Sequence, residues 1–115
     1  MNTIIAGSRG FENYSFMVSS LDKLFSRIKP GLIISGGARG ADLLGERYGR
    51  ENGIPVKTIR PNWSKGKAAG YARNVEMAKI ADSCVVFWDG KSPGTAHMIN
   101  IAKKQGLSLR IVKIK

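Results

Sequence analysis

Apolar positions along this chain alternate between short runs and stretches with helical spacing. Thr3 to Ala6 and Leu32 to Ser35 are short runs that each stop at glycine, and each predicts a strand. Ser83 to Trp88 is nearly continuous through Cys84, Val85, Val86 and Phe87, as expected of a central strand covered on both faces. Ile54 to Ile59 predicts a further strand, with Pro55 tolerable at its start or on a sheet edge. Leu107, Leu109 and Ile111 alternate with Ser108 and Arg110 and predict the last, where Lys113 and Lys115 discourage edge-to-edge pairing.

The stretches between these runs carry one apolar face each. Met17, Leu21, Leu24, Phe25 and Ile28 share a helical face that Pro30 and Gly31 terminate. A second helix begins near Arg39 and runs through Ala41, Leu44 and Tyr48 to Gly53, its other face carrying Glu46, Arg47, Arg50 and Glu51 as a solvated surface. A third carries Ala68, Tyr71, Ala72, Val75 and Ala78, with Arg73 and Met77 off that stripe; a fourth carries Met98, Ile99 and Ala102. Five strands separated by four helices imply a parallel sheet, because parallel neighbours need helix-length crossovers. The simplest arrangement is a single α/β domain over residues 1–115 with a Rossmann-like five-stranded parallel sheet, order 3-2-1-4-5, and helices on both faces.

Three of the strands end in loops rich in glycine. Gly7-Ser8-Arg9-Gly10 follows the first, Gly36-Gly37-Ala38-Arg39-Gly40 the second, and Asp89-Gly90-Lys91-Ser92-Pro93-Gly94-Thr95 the fourth. In the expected order these strands are neighbours, so the loops meet at the carboxyl edge, where the reversal of winding leaves a crevice. Glycine lets backbone N–H groups converge on an anion, a helix N-terminus adds donors, and Arg39 adds a bidentate guanidinium. A tight turn with Arg39 merely solvated is the competing reading of that one loop. The dinucleotide fingerprint is poorly matched, for lack of a third spaced glycine and a ribose-binding acid. Lys65, Lys67 and Lys91 complete no P-loop.

Composition narrows the partners. Nineteen Lys and Arg against eight Asp and Glu give 115 residues a formal charge of +11, which favours nucleic acid or phosphate-bearing nucleotides. The lone Cys84 allows no disulfide within the chain and makes a reducing cytoplasm the natural setting. One histidine, His97, argues against a multi-histidine metal site, and neither a metal nor a cofactor is expected. No apolar run approaches a membrane span, and a chain that enters a strand at once does not begin like a signal peptide.

Four ordered motifs, GSRGF, SGGARGAD, PNWSKGKAAGYARNVEM and ADSCVVFWDGKSPGT, together resemble the YspA-like branch of the SLOG superfamily, whose relatives include the LOG phosphoribohydrolases and DprA/Smf DNA-binding proteins. The resemblance covers nearly the whole chain. It implies a Rossmann-like domain that binds a nucleotide or nucleotide-derived ligand at the glycine-rich edge, as a sensor or binding module. By motif, Gly7, Ser8 and Arg9 line the pocket, Gly36, Gly37, Arg39 and Gly40 form the phosphate loop, and Gly94 and Thr95 meet phosphate or ribose. Asp42 is either a ligand contact or a first-turn acid favoured by the helix dipole. Trp63, alone in a basic polar loop, is a candidate for stacking on a base, whereas Trp88 is better explained by core packing.

Arg73 matches the arginine that serves catalysis in LOG enzymes, within Arg-x-x-x-Met. The enzymes continue with PGGxGTxxE, whereas this chain has SPGTAHM, with a glycine missing and Met98 at the glutamate's position. A LOG-like N-glycosidic hydrolase is therefore the alternative function, and would need Arg73 with Asp89 as a substitute carboxylate. A DprA-like binder of single-stranded nucleic acid is the second alternative. A homodimer through Tyr71, Val75 and Ala78 is weighed against plain packing of that helix on the sheet.

Overall fold

A computed structural model describes residues 1–66 and 68–114; Lys67 of the basic loop and Lys115 after the last strand lie outside the described residues. The elements run β1 (Asn2–Gly7), α1 (Tyr14–Leu24), β2 (Leu32–Ser35), α2 (Ala41–Glu51), β3 (Val56–Thr58), a short 3₁₀ turn (Trp63–Lys65), α3 (Ala69–Ile80), β4 (Ser83–Trp88), α4 (Pro93–Lys104) and β5 (Ser108–Lys113). All pairings are parallel and the strand order is β3-β2-β1-β4-β5. The expected α/β architecture and sheet order are those observed.

Alternation along β1 divides the core. Ile5 packs with Met17, Leu21, Tyr48 and Phe87 on the side of α1 and α2. Ile4 and Ala6 pack with Met77, Met98 and Ala102 on the side of α3 and α4. β1 and β4 are buried along nearly their whole length, so the loops after them are anchored on the most rigid part of the sheet. β3 and β5 form the edges, and β3 is only three residues long.

Three helical faces differ from expectation. α1 stops at Leu24, so Ile28 lies beyond it and is 68% exposed. In α2, Glu46 is buried rather than solvated, while Leu43 is exposed. Gly45 brings that helix against β1, where a β-carbon would lie 2.7 Å from Ile5 Cγ2. The α3 stripe is displaced: Tyr71 and Ala72 face outward, and Ala69, Asn74, Met77 and Ala78 are buried. Met77 thus belongs to the core, and Ala78 is not available to a second copy of the chain. Asn74 and Arg73 occupy the inward part of the helix because they serve the loops at its N-terminal end, and this breaks the apolar periodicity.

Candidate functional site

Three glycine loops are laced together at the carboxyl edge. Ser8, 3% exposed, is the knot: its N–H donates to the Phe87 carbonyl (2.9 Å) and its carbonyl accepts from Ala41 N–H (3.2 Å). Its Oγ accepts from Asp89 N–H at 3.1 Å and from Ser92 Oγ at 3.2 Å. Gly40 enters α2 at φ 81°, with its α-carbon turned toward the Ser8 and Arg9 carbonyls; a β-carbon there would overlap the Arg9 oxygen and lie 2.5 Å from that of Ser8. No other residue fits this crossing of β1 loop and helix start.

The β2 loop rests on a buried polar layer. Ser35 Oγ accepts from Gly37 N–H (3.1 Å) and donates to Glu46 Oε2 (2.7 Å), which also accepts from Thr58 Oγ1 (3.2 Å). Glu46 is therefore inside because the Ser35 and Thr58 hydroxyls need an acceptor.

Above this layer lies a hollow of about 480 Å³ lined by Arg9, Gly36, Gly37, Ala38, Arg39, Arg60, Pro61, Trp63 and Arg73. Four guanidiniums converge on it, and no carboxylate is among these lining residues. Arg60 Nη1 donates to the Gly37 carbonyl (3.3 Å) and Arg73 Nη1 to the Gly36 carbonyl (2.6 Å). Both arginines are thus placed by the glycine turn they flank. Trp63, on its 3₁₀ turn, is 58% exposed and offers a bare indole wall.

A second hollow of about 400 Å³ adjoins the first, sharing Arg9, Ala38 and Arg73, and extends over Gly7, Asp42, Asn74, Ser92, Gly94, Thr95 and Met98. The first turn of α4 borders it, with Pro93 at its start and free N–H donors behind. Asp42 is 6% exposed and accepts from Ala38 N–H at 3.1 Å. Burial pushes its carboxyl up to about 6, against the pull of the Ala38 N–H and the Arg73 charge. Burial likewise lowers Arg73 from the usual arginine range, with Asp42 opposing.

Of the expected site residues, Arg9, Gly36, Gly37, Arg39, Trp63 and Arg73 meet in the first hollow, and Gly7, Arg9, Asp42, Arg73, Gly94 and Thr95 in the second. Ser8 and Gly40 hold the loops from behind. Asp89 is not brought to Arg73: it lines a separate hollow beside Phe11, Phe16 and Lys113 on the α1 side. Its Oδ1 accepts from Lys91 N–H (2.8 Å) and Ser92 N–H (2.9 Å), which hold the carboxyl below its ordinary range. Trp88 is half-buried against the core and donates from Nε1 to the Ser92 carbonyl. Arg60 lines the first hollow and Asn74 the second, and the motifs singled out neither. The signal for Asn74 was a polar side chain next to Arg73 on a helix with a weak apolar stripe.

The comparisons with known proteins bear on the same loops. The profile of the YspA, cpYpsA-related SLOG family matches residues 1–66, which hold the β1 and β2 loops and Trp63. The chain is also 37% identical over 112 residues to the Gene 61 protein of Mycobacterium phage D29, covering 90% of each chain. This chain belongs to the YspA, cpYpsA-related SLOG family. The family match does not reach Arg73 or the α4 loop, so those SLOG positions rest on their geometry here. Among the described residues of this SLOG chain, no group of three or more His, Cys, Asp or Glu is placed to hold a metal, and no helix is long and apolar enough to cross a membrane.

Proposed function

We propose that the chain binds a nucleotide or nucleotide-derived ligand at the carboxyl edge of the sheet, as a binding or sensing module. The observation that carries this reading is the convergence of Arg9, Arg39, Arg60 and Arg73 on a glycine turn beside the exposed ring of Trp63. Phosphate fits the guanidiniums and the backbone N–H groups of the turn, and a base fits the indole face. The second hollow, with Asp42, Asn74 and the start of α4, suits a ribose or a further phosphate. A single glycine turn ringed by four guanidiniums suits one phosphate pocket better than an extended backbone track.

Thermal melts with AMP, ADP and ADP-ribose test the proposal. A ligand bound only by the folded state, at about 100 times its dissociation constant, stabilises by about 2.7 kcal/mol. Arg39→Ala, which removes an exposed guanidinium from the hollow, should reduce the shift with little effect on the unliganded protein. Melts unchanged by a broad nucleotide panel at millimolar concentration, these three included, would refute the proposal. Binding of an oligonucleotide, falling steeply with salt and not displaced by AMP, would favour the single-stranded nucleic-acid reading instead.

A further inference from the structure

Asn74 is 5% exposed on the inward side of α3, and its amide is used at both ends. Arg73 Nε meets Asn74 Oδ1 at 3.1 Å, while Asn74 Nδ2 lies 3.2 Å from the Gly94 carbonyl and 3.1 Å from His97 Nδ1. We infer that Asn74 is a positioning residue of the ligand site, which holds Arg73 over the glycine turn and ties it to the first turn of α4.

Donor and acceptor types leave one arrangement. Arg73 Nε–H can only donate, so the amide oxygen must face it. The amide nitrogen then faces the Gly94 carbonyl, which can only accept, and His97 Nδ1, which must be the unprotonated ring nitrogen. The His97 proton therefore sits on Nε2. From α3, His97 is faced by Asn74 and by the Tyr71 ring, 4.3 Å away between centroids; from its own helix Lys104 adds positive charge. Burial and then that lysine lower the histidine from its ordinary range, in keeping with a neutral ring.

Two of the Arg73 nitrogens are thus committed, Nη1 to Gly36 and Nε to Asn74. A long, flexible side chain is fixed before any anion arrives, and its anchor reaches the loop that borders the second hollow. Aspartate at position 74 would keep the acceptor for Arg73 but set an anionic oxygen against the Gly94 carbonyl and His97, drawing a proton onto the histidine. Alanine would release Arg73 and leave the Gly94 carbonyl without this donor.

The inference rests on the proposed nucleotide reading for its consequence and on geometry alone for its mechanism, so the experiment separates them. In the full chain, the Arg73 Nε–H resonance of the wild type should exchange with water slowly relative to that of the exposed Arg39. In Asn74→Ala the Arg73 signal should exchange markedly faster than in the wild type, and AMP affinity should fall by about tenfold or more, the order expected when one charge-assisted hydrogen bond is lost. In Asn74→Asp the Arg73 signal should stay protected while His97 protonates at a higher pH than in the wild type. If Asn74→Ala does not fold, the wild type decides: the ring nitrogen shifts of neutral His97 should place its proton on Nε2, with Arg73 Nε–H protected relative to that of Arg39. Unaltered Arg73 exchange in Asn74→Ala, Arg73 and Arg39 exchanging alike in the wild type, or a neutral His97 with its proton on Nδ1 would overturn the inference, as would an unaltered His97 titration in Asn74→Asp. Failure of AMP and of the wider nucleotide panel to bind the wild type, with the resonances behaving as described, would reject the nucleotide reading and leave the placement of Arg73 established.

Discussion

Arg73 and Gly36 share a space that any β-carbon at position 36 would close. Arg73 Nη1 donates to the Gly36 carbonyl at 2.6 Å, and a β-carbon would overlap that nitrogen and lie 2.8 Å from Asp42 Oδ2. The obstructing atoms are ends of side chains, so Gly36→Ala should fold, displace Arg73 and weaken AMP binding by at least about tenfold. Gly40→Ala should behave differently, because it meets the backbone carbonyls of Ser8 and Arg9 at φ 81°. A loss of about 2–5 kcal/mol in urea unfolding is expected there. Equal destabilisation by the two substitutions would contradict this division between a site glycine and a structural one.

The sheet was legible in the sequence because its inner strands are largely apolar and each runs into a loop rich in glycine. Ser83 to Trp88 lies in β4 at the bounds expected of it. The buried face of the third helix differs from its expected apolar stripe, and the reason is chemical. Arg73 and Asn74 turn partly or wholly inward to reach Gly36 and Gly94, so polar residues sit where apolar ones would mark the core. Glu46 was hidden for the same reason: nothing in its neighbours along the chain announces that Ser35 and Thr58, from two strands, require its carboxylate. Arg9 and Arg39 were legible because each lies between glycines in a strand-ending loop, and Trp63 because its basic polar loop offers no apolar neighbour to pack against.

That buried layer gives a contrast within one helix. Glu46→Ala removes the acceptor of two hydroxyls beneath the glycine turn and should cost about 1–3 kcal/mol in urea unfolding. Glu51→Ala, five residues on, removes an exposed carboxylate that accepts from Arg47 and Tyr14, and should cost under about 1 kcal/mol. A smaller cost for Glu46 than for Glu51 would mean that the Ser35 hydroxyl is satisfied elsewhere.

Asp42 sets a pH dependence whose sign follows from its burial. Its carboxyl lies at about 6 in the folded chain against 3.8 for the ordinary group, so between these values the folded state holds more protons than the unfolded one. Stability from this group is then fully present below 3.8 and is lost as pH rises through about 6. At about 1.4 kcal/mol per pH unit the difference is on the order of 3 kcal/mol. Asn at position 42 keeps an acceptor for Ala38 N–H without the charge, so Asp42→Asn should gain stability over the wild type on going from pH 4 to pH 7, by about this amount. Comparing the two proteins cancels the titrating groups that do not interact with Asp42. Parallel stability curves would show that Asp42 is ionised at little cost.

Trp63 offers a direct optical report. At 58% exposure it should be quenched or shifted by AMP, whereas Trp88, half-buried with Nε1 bonded to Ser92, should contribute a constant background. Trp63→Ala should abolish the fluorescence change and weaken binding by about 1–3 kcal/mol, the usual worth of a base stacked on an aromatic ring. Its effect on unfolding should stay within about 0.5 kcal/mol. Undiminished AMP affinity in Trp63→Ala would move the base to another wall of the site.

Catalysis is the sharpest test of what the second hollow lacks. Cleavage of an N-glycosidic bond builds positive charge on the ribose as the base departs, so the site needs a negative group near the anomeric carbon and a donor for the base. Met98 lines the hollow at 1% exposure and supplies neither. Asp89 has a carboxylate, but it lies in the hollow on the α1 side and is occupied with the N–H groups of Lys91 and Ser92. Asp42 does reach the second hollow, yet its carboxylate is engaged with Ala38 N–H and stands beside Arg73, the arginine expected to meet the anion. AMP should therefore bind without releasing adenine over a long incubation followed by chromatography. Adenine release that Asp89→Asn abolishes with binding unchanged would show that the β4 loop rearranges around the ligand; release abolished by Asp42→Asn would instead make the buried carboxylate the catalytic group. Met98→Glu alone should not create turnover, because the loop also lacks the second glycine of the enzymes' motif, and a carboxylate misplaced by about 1 Å forfeits on the order of a hundredfold in rate.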